Sequence, residues 1–165
     1  MHKAEEGGRL TGVARAAEWV GLAGGLLSLG VGLLVSVSVI GRKFFDQGVP
    51  GDFEFVKMGA ALTVFFFLPA CQARRGNIIV DTFTGFLGER SRARLDAVWD
   101  IVYGLAMAAI GVCMVAGAWA AYATKTTTMV LLLPTWPALA LSTMLLFFLS
   151  VVCFWTARRL LAGRL

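Results

Sequence analysis

At 165 residues with 58% hydrophobic and 15% charged side chains, the chain carries more apolar surface than a soluble domain of its size can cover. This excludes an ordinary water-soluble fold and leaves a single membrane domain over residues 1–165. The formal charge of +5 comes from Lys and Arg outside the apolar stretches, so it reports membrane topology and anionic lipid rather than nucleic acid.

Four stretches, Val20 to Gly41, Met58 to Ala73, Ile101 to Tyr122 and Pro137 to Ala157, contain no Asp, Glu, Lys, Arg or His. A span needs about 20 apolar residues at ~1.5 Å rise to cross ~30 Å of hydrocarbon. The first, third and fourth stretches meet this directly. The second does so with its polar flank Asp52 to Lys57, whose Glu54 and Lys57 snorkel toward the headgroups. The expected fold class is an all-α integral membrane protein with four transmembrane helices at about 20–41, 53–73, 97–122 and 137–157. The first run is longer than a secretory signal core and lacks a small-x-small cleavage site, so it is expected to be a retained span.

In the first span, Gly24, Ser28, Gly32 and Ser36 recur at four-residue spacing and leave one strip without side-chain bulk. Such a strip invites close helix approach, read first as packing within the chain and second as contact with a partner protein. The following loop, Arg42 to Asp52, holds the turn signal Gly48-Val49-Pro50-Gly51. Asp52 is then placed to cap the second helix, with Glu54 in its first turn where the dipole favours an acid. Pro69 predicts a bend in that helix.

Between the second and third spans, Ile79, Phe83, Phe86 and Leu87 share one helical face, which predicts a short amphipathic helix in the interface. The basic run Glu89 to Arg94 follows it, set for lipid headgroups. The third helix is expected from Asp96 through Tyr122, with Asp96 and Asp100 as acids of its first turns and a strip of small residues around Gly104, Ala108, Gly111 and Gly117. In the last loop, Met129 to Leu133 is an apolar run too short to span. It either dips into the interface or meets a partner, and the pattern does not choose.

Orientation follows from counting cationic residues. Eleven Lys and Arg lie in the two tails and the second loop, and four lie on the opposite side. The positive-inside bias therefore puts both termini in the cytoplasm, N-in and C-in. Trp19, Trp99 and Trp155 fall at the predicted cytoplasmic ends, and Trp119 and Trp136 at the outer ends, as indole at a membrane boundary should.

Chemistry-bearing patterns are missing. Cys71, Cys113 and Cys153 are single and lie in apolar spans, His2 is the only histidine, and no phosphate loop, Ser-His-Asp set or carboxylate cluster occurs. The expectation is a protein that is not an enzyme and needs no cofactor. Ion-coupled carriers keep an ionisable group inside the bilayer, so four silent spans point to a part of a transporter that carries nothing alone.

Three segments resemble a known family: Ile40-Gly41-Arg42-Lys43-Phe44-Phe45; Pro50-Gly51-Asp52-Phe53-Glu54; and Phe67-Leu68-Pro69-Ala70-Cys71-Gln72-Ala73-Arg74-Arg75-Gly76-Asn77-Ile78-Ile79-Val80-Asp81. Their order is similar to that in the small membrane subunit, DctQ-type, of tripartite ATP-independent periplasmic (TRAP) transporters. Pro134-Thr135-Trp136-Pro137 before the last span is similar too, while Asn77 stands where the family carries His. The resemblance implies a non-catalytic small subunit in a bacterial inner membrane. It would scaffold a large elevator-type membrane subunit, and a periplasmic substrate-binding protein would deliver an organic acid, a carboxylate such as a C4-dicarboxylate or sialic acid, for sodium-coupled uptake. Arg42, Glu54, Lys57, Arg74 and Asp81 are the implied subunit-contact or interface-anchor residues, with phospholipid as the surrounding partner.

Two other classes compete, the first of which also has four spans. A small proton-coupled multidrug exporter relies on a glutamate embedded in its first helix, whereas this chain has only Glu18 at the edge of that span. A membrane anchor for a haem or quinone oxidoreductase needs axial ligands, and the spans offer methionines such as Met107, Met114 and Met144 but no histidine.

Overall fold

The computed structural model describes residues 12–46, 48–74 and 89–162. Among these, the chain forms α1 (Gly12–Phe45), α2 (Asp52–Ala73), α3 (Glu89–Ala123) and α4 (Trp136–Leu161). All four are long and apolar enough to cross a membrane. Helices are the form this sequence must take in hydrocarbon, because only there does a single segment satisfy all its own backbone polar groups. The amphipathic helix expected around Ile79 to Leu87 lies outside the described residues, as does Asp81.

The helices pack as a row, α1 against α2, α2 against α4, and α4 against α3, with only a slight contact between α1 and α4. The two inner members are the shorter ones, 22 and 26 residues, and the two flanking helices run 34 and 35 residues. At ~1.5 Å per residue α1 and α3 are each about 50 Å long, well beyond the ~30 Å a bilayer core requires. The excess lies at their N-termini. α3 begins at Glu89, so Asp96 and Asp100 are in its second and later turns and the expected dipole partnership with a helix start does not apply to them.

α4 is the centre of the row. Leu146, Leu149 and Cys153 are buried and meet Phe65 and Leu68 of α2 on one side and Tyr103, Met107 and Met114 of α3 on the other. A second cluster joins Ala97 of α3 to Ala157 and Leu160 of α4. Small residues set the helix spacing. Gly104 lies so close to α4 that an added Cβ would stand 3.0 Å from the Cys153 Cβ, and the Ser150 hydroxyl donates to the Gly104 carbonyl at 2.9 Å. In the other pair, Gly24 packs onto Phe66 and Gly59 onto Val31.

The four-residue strip of α1 does not act as one packing surface within the chain. Gly24 is buried, but Ser28, Gly32 and Ser36 are exposed, and nothing approaches the position of a Cβ at Gly32. α2 runs unbroken through Pro69 to Ala73, with the proline ring fully buried.

Candidate functional site

Residues 48–51 and 124–135 meet at one end of the row, termed the loop end, because residues of α2's first turn touch both. This is where the polar side chains of the spans' margins gather.

On α1, Ser38 and Arg42 are one turn apart and therefore share a face. Both reach Asp52 across the helix pair: the Ser38 hydroxyl donates to Asp52 Oδ2 at 2.5 Å, and Arg42 forms an ion pair with the same oxygen. The Val49 amide donates to Ser38 Oγ at 3.3 Å and draws the connecting loop onto the pair. Asp52 is not the cap of α2. The N-cap is Gly51, without a side-chain cap bond, and Asp52 is the first helical residue, its other oxygen accepting the Phe53 amide at 2.7 Å. The acid expected to close a helix end instead ties two helices together.

Glu54 departs further from expectation. Rather than sitting solvated at the boundary it is 8% exposed, and its carboxylate accepts the Val130 amide at 2.6 Å and the Leu131 amide at 3.0 Å. A carboxylate taken out of water is tolerated when N–H groups converge on it, and the last loop supplies two. That loop is a hairpin: Thr128 N–H donates to the Leu133 carbonyl at 2.9 Å, Leu133 N–H to the Thr128 hydroxyl at 3.0 Å, and Thr135 N–H to the Thr126 carbonyl at 3.1 Å. Gly51 permits the fit. Its φ of 72° is left-handed, and a side chain there would overlap Leu131.

Around the hairpin's base, Tyr122 lies 6.0 Å from the Trp119 ring and 5.6 Å, edge-on, from Trp136. These rings form a continuous aromatic patch at the level expected for a membrane boundary.

Polar contacts join the helices at the opposite end as well. Arg74 pairs with Glu18 of α1 at 3.5 Å, with the Arg74 side chain largely exposed. The Gln72 amide, buried at the end of α2, donates to Asp100 of α3 at 2.9 Å. Asp100 is thus half-buried between helices rather than displayed at a helix start. Arg159 lies over the Trp155 ring, 4.9 Å from its centroid. Lys57 is exposed.

Of the residues singled out in the sequence, the structure therefore brings Arg42 and Glu54 to one end, in adjoining but separate bonding groups, and places Arg74 at the other. Ser38, Asp52, Gln72 and Asp100 complete these groups and were not identified as partners. Ser38 had a signal, its one-turn spacing from Arg42. The Gln72–Asp100 pair, 28 residues apart, had none. Among the described residues no cluster of three or more His, Cys, Asp or Glu is able to hold a metal ion.

Four helices, each long and apolar enough to cross a membrane, define a polytopic helical membrane protein. The family model described as "Tripartite ATP-independent periplasmic transporters, DctQ component" matches residues 31–163, from the middle of α1 to beyond α4. The chain belongs to this family, the small membrane subunits of TRAP transporters, which work with a large membrane subunit and a periplasmic binding protein. It is a transporter component and not a member of a catalytic family, which removes the exporter and oxidoreductase-anchor readings. No curated protein and no solved structure matches the chain.

Proposed function

We propose that this chain is the fixed scaffold of its transporter: residues 1–165 form one membrane domain in a bacterial inner membrane, both termini cytoplasmic, holding a large elevator-type subunit that moves an organic acid with sodium. The substrate, a carboxylate such as a C4-dicarboxylate or sialic acid, would arrive from the periplasmic binding protein at the loop end. The observation that carries this reading is the row architecture. Its flanking helices α1 and α3 leave long apolar faces uncovered while their lipid-crossing centres hold no Asp, Glu, Lys, Arg or His. Such a chain offers surfaces rather than an ion path.

Within this reading Arg42 and Glu54 keep the loop end in shape for the partners, Arg74 anchors the cytoplasmic end, and Lys57 and Asp81 are contact positions at the outer and inner boundaries. Two measurements test it. A tag on this chain, purified in mild detergent from the native host, should bring a large polytopic membrane protein with it; recovery of the chain alone counts against the scaffold. Vesicles holding only this chain should accumulate no solute under an imposed sodium or proton gradient, and accumulation would overturn the reading outright.

A further inference from the structure

The structure assigns a second role to the hairpin between α3 and α4: its tip, Met129 to Leu132, is a wedge inserted into the lipid leaflet at the loop end, with acyl chains at the headgroup boundary as its partner. The tip is apolar and uncovered, with Met129 96%, Val130 65% and Leu132 68% exposed and no charged residue from Thr126 to Trp136.

Its depth follows from its neighbours. The hairpin leaves beside Trp119 and Tyr122 and returns at Trp136, rings that mark the membrane boundary. From there it does not rise away from the helix ends. Val130 and Leu131 are fastened to Glu54 in the first turn of α2, and Leu133 lines the side groove formed by Leu26, Val31, Phe55, Met58 and Leu62, a cavity of about 470 Å³. The tip therefore lies beside the first turns of a span.

Irregular backbone enters lipid only when its polar groups have partners; part of this hairpin's backbone is paired within the protein, and the remaining polar groups of the tip fit a shallow position where headgroups and water reach them. The amides of Val130 and Leu131 converge on Glu54, and the Leu133 amide and carbonyl both bond to Thr128. The hydroxyls of Thr124, Thr126, Thr128 and Thr135 are likewise bonded within the hairpin. Only one edge of the patch is polar, the exposed Thr124 to Thr127 at the α3 side; from Met129 to Leu133 every side chain is apolar. Leu132 adds an independent sign. Its φ of 52° is left-handed, a conformation that Gly or Asn would hold with less strain, yet the position carries a branched apolar side chain facing outward.

The test uses the full chain in phospholipid nanodiscs. Oxidation of Met129 by a water-soluble oxidant, read by mass spectrometry, is expected to run about tenfold slower than in a free peptide of residues 124–135, because methionine oxidation follows exposure to the aqueous oxidant. A phospholipid carrying a photoactivatable group on its acyl chain should cross-link to the same peptide. Oxidation at the free-peptide rate, or shielding without acyl cross-links, overturns the assignment. So does shielding that arises only when the large membrane subunit or the periplasmic binding protein is added, which would make the tip a protein contact instead.

Discussion

α1 and α4 are equally apolar and have opposite surroundings. Their most hydrophobic windows have mean hydropathies of 2.1 and 2.3, yet 11% of the first and 44% of the second is buried inside the chain. In water such a contrast would appear as a polar face on the exposed helix. In a bilayer it does not, because lipid and protein interior make the same demand on a side chain. What separates the two helices is small residues and shape: α4 fills gaps between α2 and α3 with Leu146, Leu149 and Cys153, while α1 touches α2 through Gly24 and the approach of Val31 to Gly59.

That comparison is broken most sharply by matched substitutions. Leu149→Ala in α4 removes a fully buried side chain and should destabilise the purified subunit by about 2–5 kcal/mol. Leu33→Ala, 69% exposed on α1, should stay within about 0.5 kcal/mol. Unfolding of both variants in mixed micelles measures the difference, and equal losses would mean that α1 is as packed as α4.

A second pair lies within α1. Gly24→Leu must displace Phe66 and should cost about 1–3 kcal/mol, the usual range for overpacking. A Cβ at Gly32 meets nothing within 4 Å and the position is exposed, so the isolated Gly32→Leu subunit should unfold as the parent does. If the outward strip of Ser28, Gly32 and Ser36 receives the large subunit, Gly32→Leu should instead reduce co-purification of that partner. Normal assembly of this variant would assign the strip to lipid.

A smaller effect is expected at the loop end, where the contacts are polar and local. Glu54→Ala leaves the Val130 and Leu131 amides without their acceptor, and their hydrogen exchange should quicken by about tenfold or more, while Glu54→Gln, which keeps one carbonyl oxygen, should do less. Helix amides of α4 should be unchanged in both variants.

Among the loop-end substitutions, the smallest change in stability is expected for Arg42→Ala. The ion pair with Asp52 is partly exposed, and the Ser38 hydroxyl still holds the acid. Its consequence, and that of Glu54→Ala, should be read as uptake by the assembled transporter: lowered through weakened assembly or docking, and unaltered only if neither residue supports a partner.

Much of the fold was legible before any coordinates. The second helix was expected over 53–73 and found at Asp52–Ala73, because a turn of Gly, Pro and Gly stops one helix and a basic pair follows the next. The lengths of α1 and α3 were not, since their first turns are polar and the apolar pattern marks only the lipid-crossing part. Arg42 and Glu54 were picked out by resemblance and by position at a boundary. Their partners were not, because Asp52 and Glu54 read as helix-start acids until the neighbouring chain is in place. Glu54 meets Val130 across 76 residues, and no local periodicity encodes that contact.

By itself the amino-acid sequence determined which stretches are long and apolar enough to cross a bilayer, where each begins to be apolar and which family the chain resembles, because hydrocarbon sorts side chains and backbone groups residue by residue. Only the tertiary structure decided which apolar face meets protein and which is left for lipid or a partner. It also decided that a glutamate at a helix start would grip a distant hairpin. Those outcomes depend on the fit between segments, and hydropathy is blind to fit.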